Sequence, residues 1–211
     1  MLHPVYSVMR YLFKSAFYEL FDGAIYNLNR IPQDGPFLLA CNHASYFDPP
    51  FLGAMIEQRE MFAFAKKALF NSKLKKWLFT HLNSIPVDRG HTDISAIRSV
   101  LNLLKNSKGI MIFPEGTRTP DGKLGKAHAG IGLFACKSGV PVIPCRMFGT
   151  YEIMNRFSHF PNWNQRATIV FDHPILPEEY DNKASQNRYL DAAKIIMNAI
   201  AKIEPISPNI I

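Results

Sequence analysis

The chain contains no apolar run that is long enough to cross a membrane. Its longest stretch without Asp, Glu, Lys or Arg runs from Gly35 to Phe47 and has only 13 of the 211 residues. A membrane-spanning helix needs about 20 apolar residues. Charged residues (Arg10, Lys14 and Glu19) also interrupt the N-terminal region. We therefore predict neither a spanning helix nor a secretory signal.

Cysteine is scarce as well. The three cysteines, Cys41, Cys136 and Cys145, are odd in number and show no CxxC spacing. This pattern argues against a structural zinc site and for a reducing compartment. The seven histidines show no metal-ligand spacing either. We therefore predict that the protein binds no metal.

Acidic residues are outnumbered by basic ones. The chain has 24 Lys and Arg against 17 Asp and Glu, a net charge of +7. Such a protein is expected to meet a nucleic acid, an anionic membrane or a phosphorylated substrate. The region 59–89 carries +5 of this charge, and its lysines alternate with Leu and aromatic residues such as Trp77. That mixture favours contact with a membrane surface, although a solvated helix face over core is the alternative.

Strand-like and helix-like segments alternate along the chain. Apolar runs predict strands at 36–41, 61–65, 84–87, 109–113, 140–147 and 167–171, and helical periodicity predicts helices at 4–21, 66–82, 92–105, 127–137 and 184–203. This order predicts an α/β fold. We expect a single domain with a central, mostly parallel or mixed sheet flanked by helices, preceded by an N-terminal amphipathic helical segment.

Two polar clusters follow two of these strands, where open α/β sheets bind ligands. In the first, His43 precedes Asp48 by five residues. If the chain turns here from strand to helix, the carboxylate can hold one imidazole nitrogen and leave the other as a general base. Asp48 followed by two prolines also looks like a helix N-cap. The alternative is therefore that Asp48 only caps a helix and His43 is a loop residue.

The second cluster is Phe113-Pro114-Glu115-Gly116-Thr117-Arg118. Arg118 could bind a phosphate through two parallel hydrogen bonds, and Gly116 would let the backbone approach a ligand. The alternative is a surface turn with a solvated arginine.

Together these residues resemble the glycerophospholipid acyltransferase family, most closely the bacterial 1-acyl-glycerol-3-phosphate (lysophosphatidate) acyltransferases. The family's four sequence blocks, in order, correspond to residues 42–48, 84–89, 113–118 and 140–144. The resemblance covers about residues 31 to 150. Asn83 stands where the family usually has glycine, and Asn best tolerates a left-handed backbone after glycine.

The resemblance implies the transfer of a fatty acyl group from a thioester to the sn-2 hydroxyl of lysophosphatidate, giving phosphatidate in phospholipid biosynthesis. It implies that His43 is the base and that Asp48 orients it. No cofactor is expected, and acyl-CoA or acyl-carrier protein is the co-substrate. The implied acceptor-binding residues are Glu115, Gly116, Thr117, Arg118, Arg89 and Lys66, with Lys67 as an alternative to Lys66.

Several points stay open. Glycerol-3-phosphate or another lysophospholipid could be the acceptor, and the 140–144 block could line the acyl groove or be plain core. A basic nucleic-acid-binding protein is the alternative from a different class, but no motif supports it. We expect residues 1–30 to form a membrane-associating segment and residues 31–211 the acyltransferase domain. The enzyme would then lie peripherally on the cytoplasmic face of the membrane.

Overall fold

A seven-stranded sheet forms the centre of the computed structural model, which describes residues 3–88 and 93–206. The strand order is β1-β7-β6-β2-β5-β3-β4. Neighbouring strands are parallel except for the antiparallel pair β6 and β7. The strands are β1 (Ala24–Tyr26), β2 (Phe37–Cys41), β3 (Met61–Lys66), β4 (Ser84–Val87), β5 (Gly109–Ile112), β6 (Val142–Phe148) and β7 (Thr168–Phe171). The predicted α/β fold with a mixed, mostly parallel sheet is confirmed.

Helices cover both faces of the sheet. They are α1 (Pro4–Ser15), α2 (Asp48–Met55), α3 (Lys73–His81), α4 (Ile94–Lys105), α5 (Ala129–Ser138), α6 (Thr150–Met154), α7 (Pro177–Tyr180) and α8 (Arg188–Lys202). The strand β1 and the short helices α6 and α7 were not predicted, because elements of three to five residues show too few turns or alternations to form a pattern.

The sheet separates two hydrophobic cores. Along β2, Phe37, Leu39 and Cys41 enter the core under α1 and α2, whereas Leu38 and Ala40 enter the core under α4, α5 and α8. Successive side chains of a strand point to opposite faces, so a strand buried on both sides reads as one apolar run. This explains why the sequence predicts β2 as a strand although apolar and polar residues do not alternate along it.

Small residues bring α5 and α8 into close contact. A Cβ atom added at Gly132 would lie 1.8 Å from the backbone carbonyl oxygen of Tyr189 in α8. The glycines at 130 and 132 lie within α5, and no strand leads directly into it. Helix packing therefore accounts for Gly132, whereas Gly130 is exposed and has open space around it.

The N-terminal segment differs from its prediction. The α-helix ends at Ser15 and a π-helical turn, Ala16–Leu20, follows it. Tyr6, Phe17 and Phe21 are buried. Leu12 and Leu20, which the periodicity placed on the inward face, are exposed. The inward face is therefore rotated relative to the predicted one, and much of the outward face is apolar.

Two charged residues of α1 are used within the protein. Lys14 forms an ion pair with Glu57, and Arg10 donates to the Glu57 carbonyl oxygen at 3.0 Å. The strand β1, within the segment 1–30, pairs with β7. The predicted boundary at residue 30 therefore runs between elements that belong to one sheet.

The prediction of one helix over 66–82 is wrong. Lys67–Phe70 forms a 3₁₀ turn, and α3 begins at Lys73. Ser72 caps α3, because its hydroxyl accepts the Lys75 amide at 3.3 Å. Arg59, at the start of the basic region, donates to four backbone carbonyl oxygens and so serves loop packing rather than a surface.

Other details agree with the sequence. Asn83 adopts a positive φ of 54°, as expected for the residue that replaces a family glycine. All three cysteines are buried free thiols, and Cys41 lies opposite Cys145 on the neighbouring strands β2 and β6. Within residues 3–88 and 93–206, no helix combines the length and the apolarity needed to cross a bilayer.

Candidate active site

The two polar clusters meet at one edge of the sheet. The strands β2 and β5 are parallel neighbours, with Ala40 opposite Ile112, so their carboxyl ends lie side by side. His43 follows β2 and Glu115 follows β5. The His43 amide donates to Glu115 Oε1 at 2.8 Å, and the His43 carbonyl oxygen accepts the Thr119 amide at 2.8 Å. The sheet therefore brings the two clusters together.

His43 and Asp48 form a hydrogen-bonded pair. The distance between His43 Nδ1 and Asp48 Oδ2 is 2.8 Å. The Asp48 side chain is fully buried, and the His43 side chain is 11% exposed. The same carboxylate oxygen accepts the amides of Ala44 at 2.6 Å and Ser45 at 2.7 Å. Asp48 thus holds the loop and the imidazole together.

The contacts of Asp48 decide the tautomer of His43. A carboxylate oxygen can only accept hydrogen bonds, so the ring nitrogen 2.8 Å from it must donate, and Nδ1 carries the proton. In the neutral imidazole, Nε2 is then left as the acceptor. This arrangement can remove a proton from a hydroxyl group at Nε2.

The helix cap predicted for Asp48 is wrong in its detail. Helix α2 begins at Asp48, and Phe47 occupies the N-cap position without a side-chain cap. The Asp48 carboxylate turns back to the preceding loop instead of binding the next helical amides. The two prolines that follow still fit the first turn, since their missing amides would be unpaired there.

Neighbouring side chains limit the motion and the chemistry of this loop. The His43 ring stacks on Phe113, with 4.1 Å between the ring centroids. Ser45 is fully buried, and its hydroxyl donates to the Met154 carbonyl oxygen at 2.6 Å. Ser45 is thus in no position to act as a nucleophile, in agreement with the absence of a Gly-x-Ser-x-Gly motif.

Glu115 is a positioning residue in this geometry. It is buried, and its second oxygen accepts the Gly125 amide at 2.8 Å. Burial raises the pKa of Glu115, an effect that the amide hydrogen bonds from His43 and Gly125 oppose in part. Each oxygen of Glu115 thus accepts one amide, and the side chain joins the His43 loop to the 113–125 loop.

The residues after Glu115 face outward. Gly116 has a positive φ of 67°, which glycine adopts at no steric cost, and it forms the turn that leads to the exposed Thr117. Arg118 is half-buried and lies over the Tyr46 ring, 3.4 Å from the guanidinium carbon to the ring centroid. Its Nη1 is buried and has no hydrogen-bond partner among the described residues. Arg118 is therefore held beside the His43 loop, and its Nη1 can still donate to a ligand.

The predicted basic residues take different positions. The register that pairs Ala63 with Met111 places Lys66, three residues on, level with Pro114 at the same edge of the sheet. Lys66 is exposed there, and Lys67 begins the 3₁₀ turn that follows. Arg89 lies outside the described residues. In the 140–144 block, Val140, Val142 and Ile143 are buried in the cores.

Two residues of the site were missed in the sequence. Tyr46 carries the Arg118 guanidinium, and its signal was an aromatic residue inside the His43–Asp48 block. Asn42 bridges β2 to β6, because its side chain donates to the Met147 carbonyl oxygen at 3.0 Å and accepts the Met147 amide at 2.8 Å. This pairing has no local sequence signal, since the two residues are 105 positions apart.

Comparisons with known proteins find acyltransferases among the similar sequences. A 1-acyl-sn-glycerol-3-phosphate acyltransferase of Bacillus subtilis is 26% identical over 180 residues, covering 85% of this chain and 87% of its own. A chloroplast 1-acyl-sn-glycerol-3-phosphate acyltransferase of Arabidopsis thaliana is 29% identical over 175 residues, or 81% of this chain. This chain spans about half (48%) of that plant relative.

A solved structure gives the same fold. The crystal structure of the 1-acyl-sn-glycerophosphate acyltransferase PlsC from Thermotoga maritima superposes with a TM-score of 0.73 at 25% identity. The match covers 95% of this chain and 81% of that one. The acyltransferase family model matches residues 24–148, more than half of this chain, and on that evidence the chain belongs to the acyltransferase family.

Proposed function

We propose that this protein transfers a fatty acyl group from an acyl thioester to the sn-2 hydroxyl of lysophosphatidate, forming phosphatidate. The observation that carries the proposal is the buried His43–Asp48 pair beside a fixed Arg118 at the carboxyl edge of the sheet. The pair can supply a general base for the acceptor hydroxyl, and Arg118 can supply a cation for its phosphate. The names of the bacterial and plant relatives support the choice of lysophosphatidate.

In the proposed mechanism, His43 Nε2 accepts the proton of the acceptor hydroxyl as its oxygen attacks the thioester carbonyl carbon. Asp48 stabilises the imidazolium that forms, since its carboxylate already holds Nδ1–H. The tetrahedral intermediate then collapses, the carbon–sulfur bond breaks, and the imidazolium returns the proton to the leaving thiolate. No acyl-enzyme is needed, because the hydroxyl itself is the nucleophile.

The acceptor phosphate would bind to Arg118, whose planar guanidinium suits two parallel hydrogen bonds. The Tyr46 ring holds that guanidinium in place before the substrate arrives, so less side-chain entropy is lost on binding. Lys66, at the same edge, would add a second positive charge. Glu115 keeps the two loops at a fixed separation.

The direct test is an assay of the purified protein with lysophosphatidate and either acyl-CoA or acyl-carrier protein, read by the mass of the product. Parallel reactions with glycerol-3-phosphate and with other lysophospholipids test the alternative acceptors. The variant His43→Ala should lose a factor on the order of 10² to 10⁴ in kcat. His173→Ala is the matched control, because His173 follows the antiparallel strand β7 and so lies at the opposite edge. Formation of phosphatidate by His43→Ala at the wild-type rate would refute the mechanism.

We also propose that the protein binds peripherally to an anionic membrane, on its cytoplasmic face. Helix α3 exposes Lys73, Lys75 and Lys76 together with Leu74 and Trp77. Its neighbour α1 exposes apolar side chains while Arg10 and Lys14 contact Glu57. Exposed apolar side chains beside lysines are typical of interfacial binding.

Replacing Lys73, Lys75 and Lys76 with Gln tests this surface. Binding to anionic vesicles should weaken by about 1 kcal/mol per lysine at low salt, so less protein should sediment with them. Activity on acceptor dispersed in detergent should stay near normal, because these lysines lie beyond the site. Sedimentation equal to that of the wild type would remove α3 from the membrane surface, and retention on DNA would favour the nucleic-acid alternative.

A further inference from the structure

The loop between α6 and β7 carries three exposed aromatic side chains. Phe157, Phe160 and Trp163 are 66%, 84% and 55% exposed. No acidic residue occurs from 153 to 171, whereas Arg156, His159 and Arg166 lie there. Large aromatic side chains are normally buried, so three exposed ones on a single loop mark a contact surface.

This loop is joined to the candidate active site. The Met154 carbonyl oxygen, at the end of α6, accepts the hydroxyl of Ser45 from the His43–Asp48 loop at 2.6 Å. Arg156 Nη1 donates to the carbonyl oxygen of Arg118 at 3.4 Å. The aromatic loop therefore adjoins the wall of the site where the acceptor is proposed to bind.

The loop is also continuous with the exposed apolar face of α1. The Trp163 ring stacks on Phe21, with 5.3 Å between centroids. Tyr18 and Leu20, in the π-helical turn just before Phe21, are both exposed. At the other end of α1, the His3 ring lies 6.4 Å from that of Trp77 in α3. One exposed apolar belt thus runs from α3 along α1 to the aromatic loop.

We infer that the segment 155–163 is a second membrane anchor, which inserts its aromatic side chains into the interface of an anionic phospholipid bilayer. Phe157, Phe160 and Trp163 supply the apolar contact, and aromatic rings are favoured at the headgroup level. Arg156 adds a positive charge to a segment, 153–171, that contains no Asp or Glu. Arg166 is paired with Asp22 at 3.4 Å. This inference rests on the proposed lipid-acylating function, because it explains how an acceptor in the bilayer reaches Arg118.

The chain offers an internal probe, since Trp77 and Trp163 are its two tryptophans. Trp77→Phe leaves Trp163 as the reporter of the loop, and Trp163→Phe leaves Trp77 as the reporter of α3. On addition of phosphatidylglycerol-containing vesicles, Trp163 emission should shift to the blue and be quenched by brominated phospholipid. Trp163 emission that stays unchanged, while the protein sediments with the vesicles, would overturn the inference.

A second measurement does not depend on fluorescence. Replacing Phe157 and Phe160 with Ser should lower vesicle partitioning by about tenfold or more, since both rings lose their transfer from water. The matched control replaces Leu190 and Ile195 with Ser, because both are exposed on α8, on the opposite face of the sheet. Equal partitioning of the loop variant and the control would contradict the inference.

The result must also be separable from a failure of the proposed function. Turnover of lysophosphatidate dispersed in detergent should change little in the loop variant, because Phe157 and Phe160 are exposed and the hydrogen bond from Arg156 to Arg118 involves neither of them. A variant that sediments normally but shows a raised KM for acyl-carrier protein would assign the loop to a protein partner and overturn the membrane inference. Absence of turnover in the wild type would refute the proposed function, whereas the vesicle measurements would still report on the loop.

Discussion

Replacing Asp48 with Asn isolates the charge of the pair from its shape. The Asp48 oxygen that faces the loop accepts three donors, the His43 ring and the amides of Ala44 and Ser45. These donors require an oxygen at that position, so the Asn carbonyl should face them. The His43 tautomer is then preserved, and the variant loses the negative charge alone.

The size of the effect follows from the distance. With 2.8 Å between Nδ1 and Oδ2, the charges of imidazolium and carboxylate are centred about 4 Å apart. At an effective dielectric constant of about 20, their attraction is about 4 kcal/mol. That attraction exists when His43 is protonated in the transition state, so its loss should lower kcat by about 10³. The KM for the acceptor should change little, since Asp48 is fully buried.

The assay is release of the donor's thiol, from acyl-CoA or acyl-carrier protein, followed with a thiol reagent, together with the thermal unfolding of each variant. The Asn amide group would replace Asp48 Oδ1, which is buried without a partner among the described residues, so a modest loss of stability is expected. Asp172→Asn is the matched control, because Asp172 also accepts a backbone amide, that of His173, but follows β7 at the opposite edge of the sheet. A folded Asp48→Asn protein that keeps more than a tenth of the wild-type kcat would refute the general-base reasoning.

Three further predictions concern the surroundings of the pair. Arg118→Lys and Tyr46→Ala should each raise the acceptor KM severalfold with little change in donor KM. Arg118→Lys loses the two parallel hydrogen bonds of the guanidinium, and Tyr46→Ala loses the cation–π contact. Steady-state kinetics with both substrates varied measures both KM values, and equal effects on the two would contradict the prediction. Glu115→Gln should lower the free energy of unfolding by about 1–3 kcal/mol, since the Gln NH₂ must face one of two amide donors. Burial raises the pKa of Glu115 in the folded protein above its ordinary 4.5, so the folded wild type holds its proton to higher pH than the unfolded chain does. The stability of the wild type relative to Glu115→Gln should therefore fall as the pH rises through that raised pKa. Thermal melts between pH 4 and 7 that show this stability difference growing would contradict the prediction. Gly132→Ala should cost about 1–3 kcal/mol, because its Cβ would meet the Tyr189 carbonyl oxygen at 1.8 Å; an unchanged melting temperature would show that α5 and α8 can separate freely.

The sequence predicted the central strands well, because buried strands form uninterrupted apolar runs. The strand β2 is such a run, and its ends are marked by Pro36 and by polar Asn42. The sequence also predicted that both polar clusters follow strands at a ligand-binding edge. The structure adds that β2 and β5 are parallel neighbours, which brings His43 beside Glu115. The strand order and the register between neighbouring strands determine which of these side chains meet.

What the sequence did not predict depends on tertiary contacts. The inward face of α1 is set by Phe17 and Phe21, which pack in a π-helical turn that ideal helical spacing does not anticipate. The sequence did not predict that Glu115 joins two loops, because the Gly125 amide that its second oxygen accepts lies ten residues away. The contact between Tyr46 and Arg118 was missed for the same reason, because the two residues are far apart in sequence.

The three buried cysteines make this protein convenient for thiol chemistry. Burial raises the pKa of Cys41 well above its usual range and that of Cys136 to about 11. The thiolate is the reactive form, so these side chains should react slowly with maleimides or disulfide reagents while the protein is folded. A single cysteine introduced at an exposed position such as Phe160 could therefore be labelled selectively in the native background, and a spin label or fluorophore there would report the depth of the loop directly.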